Sequence, residues 1–154
     1  MKYTYCTMWC DVRKAPWKML DEKEAYRNHN KKEQYCVLVE IDDILTHVIE
    51  IGKNDILIRF LDEDKFSYLC YSFLVKEQGK LFLKGADYTD YEATGEERER
   101  VLFNFFENGC LLMEKINRRT GESEEFESTV DLETNWDNYP KFGDYTHLLI
   151  EERE

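Results

Sequence analysis

The chain has 154 residues and a net charge of −12, with 42% apolar and 14% aromatic residues. That length suits one domain over residues 1–154, large enough to fold without a metal or disulfide staple. The aromatic content excludes a disordered chain, 7 Gly and 2 Pro exclude collagen-like and low-complexity classes, and no apolar run approaches the roughly 20 residues of a membrane span.

The first residues lack the charged start, long apolar run and small-residue cleavage site of a signal peptide. The 5 cysteines (Cys6, Cys10, Cys36, Cys70 and Cys110) form an odd set, which together with that start points to free, mostly buried thiols and a cytoplasmic location. Read as one strand, the opening segment places Cys6 and Cys10 on one face with Thr4 and Met8. Residues 18–32 have helix-forming composition, with Asp21 and Glu22 near the start, and predict a surface helix.

From Tyr35 onward, short β-rich runs alternate with turns. Runs at 35–41, 46–51, 56–61, 66–75 and 80–83 are separated by turn residues such as Gly52-Lys53-Asn54-Asp55 and Asp62-Glu63-Asp64-Lys65, the pattern of antiparallel hairpins. Residues 43–51 also fit a helical stripe, but the hairpin with 56–61 favours strand. Asn108-Gly109 between apolar runs predicts a two-residue type I′ turn, pairing Phe105 with Leu112, Phe106 with Leu111, Phe103 with Glu114 and Val101 with Ile116. A second hairpin turns through 117–121, and its return strand sets Phe126, Ser128, Val130 and Leu132 against an acidic face, as in a half-buried strand. Residues 144–152 predict a final helix capped by Asp144, with Leu148 and Leu149 inward. The sum is a β-rich α+β domain, an antiparallel meander forming a curved sheet or partial barrel with one or two helices.

Catalytic motifs are missing. His29, His47 and His147 have no local nucleophile signature beside them, and the expectation is a non-enzymatic protein. The Cys6/Cys10 pair lacks the second pair a zinc site needs, Asp62-Glu63-Asp64 lacks the closing ligands of a calcium loop, and no phosphate loop occurs, so no cofactor is expected.

Charge is unevenly spread: residues 1–34 carry +3 and residues 35–154 carry −15. An acidic surface repels phosphate backbones, which argues against direct nucleic-acid binding, and attracts a basic protein. Two stretches concentrate the acids. One holds Asp87, Tyr88, Asp90, Tyr91 and Glu92. The other holds Glu122, Glu124, Glu125, Glu127, Asp131 and Trp136, and residues 120–140 contain no Lys, Arg or His. A solvated face explains such runs equally well, but the interleaved Tyr and Trp favour a docking surface.

The acidic chain without catalytic motifs, the run Ile56-Leu57-Ile58-Arg59-Phe60-Leu61 followed by residues 68–74, and the closing Trp136-Asp137-Asn138-Tyr139-Pro140-Lys141-Phe142-Gly143-Asp144-Tyr145 together resemble immunity proteins of bacterial polymorphic toxin and contact-dependent inhibition systems. The resemblance implies a cytosolic inhibitor that binds a cognate toxin domain, often a nuclease, and occludes its substrate site. Trp136, Phe142 and Tyr145 are otherwise expected to cover an open sheet edge. A small-ligand-binding partial barrel and a hydrolase with a dispersed active site are the rival readings.

Overall fold

A computed structural model of the chain describes residues 1–153. In chain order the elements are β1 (Lys2–Cys6), β2 (Trp9–Cys10), β3 (Ala15–Pro16), β4 (Met19–Leu20), α1 (Glu22–Lys31), β5 (Tyr35–Ile41), β6 (Ile44–Ile51) and β7 (Asp55–Leu61). They continue with β8 (Ser67–Val75), β9 (Lys80–Tyr91), β10 (Glu97–Phe105), β11 (Cys110–Asn117), β12 (Ser123–Thr129) and β13 (Trp136–Asn138). Ten strands form one open antiparallel sheet in the order β12-β11-β10-β9-β8-β7-β6-β5-β1-β4, with β13 added to β9 and β2–β3 a separate ribbon. The sheet is a meander, as the hairpin pattern predicts, and it is not closed into a barrel.

The middle of the sheet is covered on both faces. Tyr35, Val37, Ile49, Ile58, Phe60 and Phe73 pack on one face, beneath Ala25 of α1 and Tyr145 and Leu148 of the C-terminal segment. On the other face Cys6, Cys36, Leu38, Val48 and Leu61 pack with Trp9. A strand covered on both faces needs no polar side, which is why residues 35–39 are apolar or aromatic throughout and all buried.

Local chemistry moves several boundaries. Asp21 accepts from the Glu24 amide at 2.8 Å and the Glu24 carboxylate accepts from the Asp21 amide at 2.9 Å. This capping box starts α1 at Glu22 rather than at residue 18, and Met19 and Leu20 pair with β1 instead. The opening strand ends at Cys6, so the shared face expected for Cys6 and Cys10 is lost: the chain turns, Trp9 is buried, and Met8 is 48% exposed. The closing helix is a short 3-10 turn, Thr146–Leu149, without the Asp144 cap, although Leu148 is buried as expected. Phe142 and Tyr145 cover a sheet face instead of an edge: Phe142 stacks on Tyr5 at 5.2 Å, and Tyr145 is fully buried.

The Asn-Gly hairpin differs by one residue. Gly109 has φ +91° while Asn108 is not in the left-handed region, and a type I′ turn requires both. The Asn108 side chain instead accepts from the Cys110 amide at 2.9 Å. Phe106 then closes on Cys110, leaving a three-residue loop, and Phe105 pairs with Leu111, Phe103 with Met113 and Val101 with Lys115.

Candidate functional site

The far end of the sheet, β11 and β12, projects as a wing beyond β10, whose Phe103 and Phe105 still pack against the core. All seven residues of β12 are exposed, so the half-buried strand expected there is corrected: no second layer covers either of its faces. Phe126 is 48% and Leu112 41% exposed. Ladder hydrogen bonds and cross-strand side-chain pairs hold the wing together, each pair contributing only about 0.2–1 kcal/mol.

In the first acidic stretch Asp87 to Tyr91 lie on β9 and Glu92 just past its end, and alternation sends Asp87 to one face and Tyr88 to the other. Arg100 Nε donates to both Asp87 carboxylate oxygens at 2.9 and 3.0 Å. Asp90 pairs with Arg98, Glu92 with Arg119, Glu97 with Arg118 and Glu99 with Lys115. The Tyr91 hydroxyl donates to the Ser67 carbonyl at 2.7 Å, and its ring packs on Phe66. Internal cations thus neutralise this stretch.

The second stretch differs. Among the described residues, Glu122, Glu124, Glu125, Glu127 and Asp131 make no ion pair, nor does Glu114. Register places Glu114 directly opposite Glu125, on the face that carries Asp87. Glu127 lies on the same face, and its carboxylate accepts from the Cys110 thiol at 3.7 Å. Glu124 and Phe126 lie on the Tyr88 face. That face holds a groove of about 710 Å³ walled by Tyr71, Tyr88, Phe103 and Phe105, with Asp131 and Glu151 at its rim. Trp136, on β13, packs on Phe82 at 4.9 Å and shares a hollow with Lys76 and Lys80. Two strands stand between β9 and β12, so Trp136 and the β12 glutamates do not form one cluster.

Sequence reasoning missed Glu114 and Phe126 as parts of this surface. Both became visible only once the register set Glu114 beside Glu125 and left Phe126 uncovered. His29 and His47 pack against aromatic rings, and His147 Nε2 lies 2.9 Å from the Asn138 carbonyl. Burial pushes His47 down to about 4, and His29 Nδ1 lies 2.7 Å from the Tyr35 hydroxyl in an aromatic cluster. No group of three His, Cys, Asp or Glu side chains could hold a metal among the described residues, and no helix is long and apolar enough to cross a membrane. No protein-family model, curated protein or solved structure matches the chain.

The thiols divide by position. Cys6 and Cys36, fully buried, face each other across β1 and β5. Burial pushes the Cys70 thiol up to about 11. Cys110, expected to be buried, stands half-exposed at the edge of the wing, where desolvation and the Glu127 carboxylate push its thiol up. Alkylation at neutral pH is therefore expected to spare Cys6 and Cys36 until the protein unfolds. Glu127→Gln is expected to speed reaction at Cys110 severalfold, because the thiolate is the nucleophile. Mass spectrometry of labelled peptides checks both, and an unchanged Cys110 rate would remove Glu127 from its surroundings.

Proposed function

We propose that this chain is a non-enzymatic binding protein of the immunity type, which docks a basic toxin domain on its β11–β12 wing and occludes that domain's substrate site. The supporting observation is the uncompensated charge. Like charges directly opposite in a sheet are destabilising, yet Glu114 faces Glu125 while every carboxylate in the range 87–99 except Glu96 has an Arg or Lys partner. The cations that make these pairs, Arg98 and Arg100 on β10, Lys115 on β11 and Arg118 and Arg119 in the turn after it, all reach carboxylates of β9, β10 and the turn between them, and none reaches β12. A partner's Lys and Arg relieve the repulsion left on β12 and form charge-assisted hydrogen bonds there. Where those cations are the ones a nuclease uses to hold phosphate, binding excludes its substrate. Exposed Phe126, Leu112 and Phe106 add apolar contact between the charges.

The gene for this chain is expected to lie beside one for a large secreted protein with a variable C-terminal domain. That domain, purified, is expected to lose nucleic-acid cleavage when mixed one to one with this chain. Undiminished cleavage in excess of the chain, or hydrolysis by the chain itself that disappears on a single His or Asp substitution, overturns the reading.

A further inference from the structure

The two edges of the sheet are unlike. One is β4, two residues long and adjacent to α1, a short edge of the kind that resists further pairing. The other is β12, seven residues long and exposed throughout.

The direction of its free backbone groups follows from the hairpin. Asn117 donates to the Glu122 carbonyl and Val130 to the Gly109 carbonyl, so 117/122 and 109/130 are hydrogen-bonded pairs. Such pairs alternate along an antiparallel ladder. The residues bonded to β11 are therefore Glu124, Phe126 and Ser128. Ser123, Glu125, Glu127 and Thr129 turn their N–H and C=O groups outward, away from the sheet.

We infer that β12 is a template for strand addition, and that the strand it accepts carries Lys or Arg at alternate positions with apolar residues between. This rests on the docking reading above and specifies what is docked. The side-chain rows state the pattern. On one face the row Leu102–Glu114–Glu125 ends in two unpaired glutamates, with Glu127 beside them. The next residue in that row is met best by a cation. On the other face the row Phe103–Met113–Phe126 is apolar and ends uncovered, so its next member is apolar. Alternation of side chains along a strand turns these two rows into one period-2 sequence. A second copy of this chain is the wrong occupant, because an antiparallel pair of β12 edges sets glutamates against glutamates. The charge that prevents self-pairing selects a basic strand.

The test uses a capped peptide of about nine residues alternating Lys and Val, a length that spans the seven residues of β12, followed by NMR. Adding it is expected to slow amide exchange at Ser123, Glu125, Glu127 and Thr129, and the same peptide N-methylated on its pairing amides is expected not to bind. Glu127→Gln and Glu127→Pro remove the same charge, but only proline removes an outward N–H. Glu127→Pro is expected to bind at least about tenfold more weakly than Glu127→Gln, the effect of one or two lost hydrogen bonds. Thr129→Pro against Thr129→Val repeats the comparison without a charge change, should Glu127→Pro disturb the hairpin. Equal affinities within both pairs, or protection elsewhere in the sheet, overturn strand addition. If the basic toxin domain still binds the proline variants as it binds their partners, docking on the wing stands and strand pairing falls. If that domain binds none of the proteins, the docking reading itself has failed.

Discussion

Tyr145→Ala is expected to destabilise the protein by about 3–5 kcal/mol, the cost of removing a large aromatic side chain from a packed core. Tyr145 is fully buried, stands edge-on to Tyr3 at 5.1 Å, and its hydroxyl lies 3.2 Å from that of Tyr35. It fastens the C-terminal segment to the sheet. At roughly 2–4 °C per kcal/mol for a chain of this size, the midpoint of thermal unfolding should fall by about 6–20 °C. Tyr145→Phe keeps the ring and loses one hydrogen bond, at a cost of about 1 kcal/mol. Phe126→Ala serves as the contrast. Its ring is uncovered on the wing, and its removal should cost under about 1 kcal/mol. Equal losses for Tyr145→Ala and Phe126→Ala, measured by denaturant and thermal unfolding, would contradict the division into a packed centre and a projecting wing.

That division is only partly legible in the sequence. The centre is written plainly: five consecutive buried residues at 35–39 read as apolar because both faces are covered. The alternating pattern of Phe126, Ser128, Val130 and Leu132 has the same periodicity as a half-buried strand, and periodicity records which residues share a face without saying whether anything packs on it. The Asn-Gly turn illustrates a second limit. Both the two-residue and the three-residue loop accept Gly109, and the choice depends on the conformation of Asn108, which shifts every pair in the hairpin by one. That shift is what brings Met113, not Glu114, opposite Phe103 and so creates the apolar row ending at Phe126. For the acids the sequence shows density but not pairing. Arg98 and Arg100 lie within the first stretch's hairpin and reach Asp90 and Asp87 across strands. No cation occurs from 120 to 140, and there the carboxylates of β12 stay free. The positions of the arginines mark the contrast between the two stretches, and the strand register decides which carboxylates they reach.

The structure separates the two stretches as experimental targets. Replacing Asp87 and Asp90 with Asn and Glu92 with Gln leaves Arg100, Arg98 and Arg119 without their partners. This variant is expected to lose stability, by about 1 kcal/mol or less for the exposed Asp90–Arg98 pair and by more for the part-buried Asp87–Arg100 pair, held through both carboxylate oxygens, and to change partner association little. Replacing Glu122, Glu124, Glu125 and Glu127 with Gln breaks no ion pair among the described residues and relieves the repulsion at Glu125. The fold should be as stable as before or slightly more so, while association with a basic partner should slow by about tenfold, within the range of electrostatic steering.

The association rate of the proposed partner, a basic toxin domain, measured by stopped flow across a salt series for the native chain and the four-glutamine variant, tests docking on the wing most directly. Salt shortens the reach of a surface charge to about 8 Å at physiological ionic strength, so the native rate should fall steeply as salt rises. The variant should start about tenfold slower at low salt and respond more weakly to added salt, so that the two curves converge at high salt. Two superimposable curves, with the same rate and the same salt dependence, would contradict the account, because the free glutamates of β12 would then face solvent and nothing else.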